Sequence, residues 1–168
     1  MFGSKLYIAD TGNSRIRQVD LNTHIISTFW GDSLPCTFDI FSLCYPQGVA
    51  VDTSGIVFIS DTGQYRIVKT DGHTAILVAG GNGPGYCGDG GLSTNACLNG
   101  PIGVAVDASE SFYIADYNNF RVRMVTAPGP GIISTIAGNG TDGEGGPATK
   151  ATLYLGYAHT SAISAVAD

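Results

Sequence analysis

Three aspartates each stand five residues ahead of an arginine: Asp10 and Arg15, Asp61 and Arg66, Asp116 and Arg121. A carboxylate and a guanidinium at that spacing can pair across a tight chain reversal, or converge on a ligand as charged hydrogen-bonding groups. The surrounding residues favour the first. Each Asp closes an aromatic-led apolar run (7–9, 58–60, 113–115), and each Arg opens another. The four residues between them (11–14, 62–65, 117–120) hold Gly or Asn, which accept the positive φ of a tight turn. The expected structure is a hairpin with Asp facing Arg across two strands, an exposed pair contributing roughly 0.2–1 kcal/mol.

The cysteines are the next reactive groups. Cys36 and Cys44 lie in one connection, Cys87 and Cys97 in the next. An even count in long loops suggests two loop-stapling disulfides; the alternative is four free, half-buried thiols. Four Cys allow three connectivities and the spacing selects none, but confinement to separate connections makes Cys36–Cys44 and Cys87–Cys97 the expected bridges. The spacings match no zinc ribbon or finger. Bridges would place the chain in an extracellular or lumenal compartment. Residues 1–6 lack the basic and apolar regions of a signal peptide, so the native start is expected to lie upstream of Met1.

Other chemistry is sparse. His24 and His73 each follow a strand Val by five residues and read as solvent-exposed turn residues; His159 stands alone. Metal or catalytic use needs converging ligands, and none is expected here, nor is a cofactor. Asp89 and Asp142 sit beside Gly-rich carbonyls without the spacing of an EF-hand, and the Gly-rich connections do not lead from strand to helix as a phosphate loop must. Eight basic residues against fourteen acidic, a net charge of −6, argue against nucleic acid as partner. No apolar run approaches the length of a membrane span.

The elements that position these groups recur. The anchor aspartates lie 51 and 55 residues apart, a period of stacked or ring-arranged units. Each complete unit holds four short apolar segments in up-and-down order, and the expectation is an all-β fold, a β-propeller of four-stranded antiparallel blades. Blade A runs from 6 to 31, blade B from 46 to 81, blade C from 101 to 138, and 162–168 is the first strand of a fourth. The whole of 1–168 is then one propeller segment of about three blades.

The segments Pro46-Gln-Gly-Val-Ala-Val-Asp52, Phe58-Ile-Ser-Asp61 and Arg66-Ile67 resemble NHL repeats, as do Pro101-Ile-Gly-Val-Ala-Val-Asp107, Tyr113-Ile-Ala-Asp116 and Arg121-Val122. The Gly-rich stretches at 88–91 and 145–149 are similar to those of bacterial multi-repeat proteins and teneurins. The resemblance implies a six-bladed ring, of which this chain supplies part; further blades of a longer chain, or a homodimer, would complete it. It also implies an interaction module rather than an enzyme. The alternative is a propeller enzyme of lactonase or lyase type with a metal at the central axis, whose ligand spacing is not found here.

Up-and-down order sorts the loops. The turns between second and third strands share one face with the long inter-blade connections 32–45, 80–100 and 138–161. Loops on a rigid scaffold are where binding resides. The expected function is non-enzymatic binding of a protein or carbohydrate partner on that face, through Tyr65, Tyr86, Asp89, Tyr117, Asn118 and Phe120.

Overall fold

The computed structural model describes residues 4–32, 36, 37, 39–127, 130–141 and 145–154. The described strands are β1 (Lys5–Asp10), β2 (Arg15–Asp20), β3 (Ile25–Trp30), β4 (Pro46–Val51), β5 (Val57–Asp61), β6 (Arg66–Thr70), β7 (Ala75–Gly80), β8 (Pro101–Val106), β9 (Phe112–Asp116), β10 (Arg121–Val125) and β11 (Ile133–Gly138). They form three antiparallel meanders: β1-β2-β3, β4-β5-β6-β7 and β8-β9-β10-β11. These are blade A with three strands and blades B and C with four. The expected strand at 162–168, like His159 and Asp142, lies outside the described residues.

Burial explains the composition of the strands. Successive side chains of a strand point to opposite faces. In blade B both faces are covered: Val57, Ile59 and Val68 join a core with Ile16 and Trp30 of blade A, while Phe58, Ile67 and Val78 join a second core with Ile114 and Val125 of blade C. All five residues of β5 are therefore buried, and its sequence opens on three consecutive apolar residues, Val57-Phe58-Ile59, rather than an alternating pattern. Burying each large apolar side chain contributes about 1.5–3 kcal/mol. β1 has the same residue pattern, but its Leu6 and Ile8 remain exposed.

Two joints repeat between blades. Thr11 Oγ1 donates to the Pro46 carbonyl at 2.7 Å, and Thr62 Oγ1 donates to the Pro101 carbonyl at 2.6 Å. At this level β4 runs so close to β8 that a Cβ on Gly48 would lie 2.7 Å from the Ile102 carbonyl oxygen. Glycine is there for the close approach, not for an unusual φ.

The hairpin turns differ from expectation in one respect. Each is a single 3-10 turn (Thr11–Asn13, Thr62–Gln64, Tyr117–Asn119) closed by one left-handed residue. The positive φ falls on Ser14 (51°), Tyr65 (55°) and Phe120 (54°), not on the Gly or Asn inside the turn. A four-residue loop that places Asp opposite Arg reverses through a helical turn plus one left-handed position, and that position is the last.

Candidate functional site: the loop-bearing face

Asp61 ends β5 with no exposed surface. Its Oδ1 accepts the backbone N–H of Cys44 at 2.6 Å, and its Oδ2 accepts Arg66 Nε at 2.7 Å. Arg66 Nη2 then donates to the carbonyls of Asp39 at 2.7 Å and Ser42 at 3.0 Å. Gln64 Nε2 also reaches the Ser42 carbonyl, and the Gly63 N–H donates to the Cys44 carbonyl. The hairpin thus grips the connection that enters its own blade. The pair is buried, not exposed as expected. Burial pushes the Asp61 carboxyl up, against the pull of the Cys44 N–H and Arg66.

Blade C builds the same grip with a different arginine. Asp116 accepts the Asn99 N–H at 2.8 Å, Asn119 Nδ2 at 2.7 Å and Arg123 Nη1 at 3.3 Å. The expected Asp116–Arg121 ion pair is replaced by Asp116–Arg123, although Arg121 does face Asp116 in the strand register. Positions 121 and 123 lie on one face of β10, so either side chain can reach inward. Asp89 on the connection draws in Arg123, whose Nη2 donates to Asp89 Oδ1 at 2.6 Å and to the Cys87 carbonyl at 3.2 Å. Blade B has Val68 at the equivalent place, which leaves the role to Arg66. Burial likewise raises the Asp116 carboxyl.

Arg121 is displaced outward. Its guanidinium lies 3.8 Å from the centre of the Tyr86 ring, and it donates to the Asn119 carbonyl and to Asn139 Oδ1. In blade A, Asp10 pairs with Arg15 at 3.2 Å and approaches Arg17 at 3.9 Å, with both arginines partly exposed. The Asn13 amide, then Arg15, hold its carboxyl below the usual range.

Both expected bridges are present, Cys36–Cys44 and Cys87–Cys97, with Cα atoms 4.9 and 4.8 Å apart. His24 and His73 are exposed turn residues. Among the described residues no group of three His, Cys, Asp or Glu is placed to hold a metal ion.

The six residues expected to bind divide into three kinds. Tyr86 and Phe120 expose much of their rings, and Phe120 stacks on Tyr154 with centroids 6.4 Å apart. Tyr65 and Tyr117 are half-buried. Asp89 and Asn118 are committed within the fold. Asp89 takes Arg123, the Tyr86 hydroxyl and the Thr135 N–H, and these outweigh burial to keep its carboxyl low. The Asn118 amide donates to Asn99 Oδ1. Sequence reasoning missed Phe41, Tyr45 and Tyr154, all well exposed on connections of the same face. Tyr45 was detectable: it precedes Pro46 where the next repeat places Gly100 before Pro101, and both have positive φ, 50° and 63°.

The NHL repeat family matches residues 43–69 and 98–123, which contain both buried Asp hairpins. The chain carries NHL repeats. It is 37% identical over 119 residues to NHL repeat-containing protein 2 of Gallus gallus, covering 68% of this chain and 15% of that protein. Teneurin-1 of Gallus gallus is 31% identical over 94 residues, covering 48% of this chain and 4% of its own length. The NHL chain therefore spans a small part of these relatives. An auxiliary nutrient binding protein from Bacteroides thetaiotaomicron shares its fold, with a TM-score of 0.68 at 20% identity, covering 97% of this chain and 40% of that one. No helix among the described residues is long and apolar enough to cross a membrane.

Proposed function

We propose that these NHL blades form a non-enzymatic interaction module that binds a protein or carbohydrate partner on the face carrying the long connections. The observation that carries this reading is the placement of large aromatics at left-handed backbone positions on that face: Tyr45, Tyr65 and Phe120. A bulky L-residue there costs about 1–2 kcal/mol, and such strain concentrates where side chains serve something other than folding. The equivalent positions in other repeats hold Ser14 and Gly100, so the joints themselves do not require a ring. Tyr45 and Phe120 return little of that cost as packing, being 58% and 48% exposed. The repeated Asp and Arg residues take the structural part of the work, and the aromatics stand outside it.

The test separates stability from binding. In Phe120→Asn and Tyr45→Gly the left-handed positions receive residues that tolerate them, so the melting temperature should hold or rise. Binding to whichever partner a glycan array or a panel of extracellular proteins reveals should weaken. Unchanged binding in both variants would remove this face from the function. Stoichiometric metal in the purified chain, accompanied by lactone or ester turnover, would favour the lactonase or lyase reading instead.

A further inference from the structure

A second concavity lies at the opposite end of the blades, away from the long connections. It is a cleft of about 510 Å³ between blades A and B, lined by Lys5, Tyr7, Phe29, Val51, Asp52 and Asp71. That volume falls within the range of about 300–1,000 Å³ common for small-molecule sites. Tyr7 and Phe29 meet edge to face with centroids 4.8 Å apart, giving the cleft an aromatic wall.

Comparison of the repeats singles out Asp52. Asp52 and Asp107 close the first strands of blades B and C and organise the same turn. Each uses Oδ1 to accept two backbone N–H groups: Ser54 and Ile56 for Asp52, Ser109 and Ser111 for Asp107. In blade C the second oxygen, Oδ2, accepts the Tyr113 hydroxyl at 3.0 Å. Blade B has Phe58 at the position of Tyr113, without a hydroxyl. Among the described residues, Asp52 Oδ2 accepts no hydrogen bond, although Asp52 is only 6% exposed and lines the cleft. That oxygen is not sealed from water, so it stays available to a cation at the cleft wall.

The charge balance agrees. Asp71 also turns a carboxylate to the cleft wall, with its Oδ1 occupied by the His73 and Thr74 N–H groups. Among the described residues Lys5 is the one cation in the lining, and its charge also acts on Asp20, whose carboxyl is held low first by the Thr23 and Asn22 N–H groups. Aromatic faces add attraction for a cation within about 6 Å.

We propose that this cleft binds a small organic cation, a primary amine with an apolar body, with Asp52 Oδ2 receiving the ammonium and the Tyr7 and Phe29 rings receiving the body. The site is separate from the loop-bearing face, and its fate does not depend on the function proposed there.

Phenethylamine and hydrocinnamate, which share a body and differ in charge, are titrated into the isotopically labelled chain by NMR. Phenethylamine should shift resonances of Tyr7, Phe29, Val51 and Asp52, and hydrocinnamate should not. Asp52→Asn keeps the Oδ1 acceptor for the turn but replaces Oδ2 with an N–H donor. Its affinity for phenethylamine should fall about tenfold or more. Asp107→Asn makes the same change outside the cleft and should leave affinity unaltered. Phe29→Leu, which spares the turn, should also weaken binding and decides the matter if Asp52→Asn does not fold. Equal response to the two compounds, or undiminished amine binding in the folded cleft variants, overturns the proposal.

Discussion

Depth decides what the repeated carboxylate does. Asp10 sits at a partly exposed hairpin, whereas Asp61 and Asp116 are sealed and hold backbone N–H groups of the incoming connection. Removing one member of a buried pair strands the other without water, at about 3–5 kcal/mol. Asp61→Ala and Arg66→Ala should each approach that loss in denaturant titrations, with strong coupling in the double mutant, while Asp10→Ala should cost about 1 kcal/mol or less. Additive losses at 61 and 66 would show that the two groups act separately. Acid titration resolves the same contrast. Hydrogen bonds hold Asp39, Asp71 and Asp107 low, led by the Thr37 hydroxyl, the Thr74 N–H and the Ser109 hydroxyl respectively. A lowered folded pKa gives stability above the unfolded value, near 3.9, that is lost as pH falls through the folded value. Burial raises Asp61 and Asp116, so their contribution is present below the unfolded value and is lost as pH rises through their folded values. The melting temperature should therefore fall as pH drops below about 4, with Asp61 and Asp116 opposing the trend just above that. A flat melting temperature from pH ~5 to ~2.5 would contradict the hydrogen-bonded assignment. At this scale the sequence was only partly legible. The Asp–Arg spacing revealed the hairpin, but Asp89, 34 residues before Arg123, selects which arginine turns inward, and no local pattern carries that information.

Each hairpin and its incoming connection behave as one element. The strands were readable from apolar runs bounded by turn residues, most plainly in blade B, where cover on both faces leaves no polar side to blur the pattern of β5. The connections were not, because their carbonyls are ordered by guanidinium groups from another segment. The disulfides join the same construction. Cys44 is held through its N–H by Asp61 and through its carbonyl by Gly63, and the carbonyls of Cys87 and Cys97 both accept from Arg123. Peptide mapping without reductant should recover the 36–44 and 87–97 cross-links from protein made in an oxidising compartment; free thiols there would refute them. In the chain-entropy account, opening either bridge costs about 2.5 kcal/mol. Reduction should therefore lower the unfolding midpoint without erasing the strand signature in circular dichroism.

Across the molecule, the outward face of blade A differs from its counterparts. Leu6, Ile8 and Ile26 are 49%, 38% and 51% exposed, whereas Val57 and Ile59 at the first two equivalent positions of blade B are fully buried against blade A. An apolar face built for a neighbouring blade favours association. The 168-residue chain should scatter light as an assembly larger than a monomer, and Leu6→Lys with Ile8→Lys should shift it toward the monomer. A monodisperse, cooperatively unfolding wild-type monomer would mean that the open face is stable in water.

The threonine joint also governs how such a protein can diversify. From Thr11 to the Pro46 it holds is 35 residues, and from Thr62 to Pro101 is 39. Those four extra residues account for the whole difference between the repeat spacings of 51 and 55. Length has thus been added only downstream of the donor and upstream of its acceptor, where the chain can bulge without moving either atom. Within that span, a mutation that inserts residues in the connection after the last strand changes the loop-bearing face and leaves the joint in place. Lineages carrying this joint can try new surfaces at little risk to folding, and a designer could graft a foreign peptide between Asn82 and Gly85, keeping the Gly85 carbonyl that Asn119 holds, on the same terms.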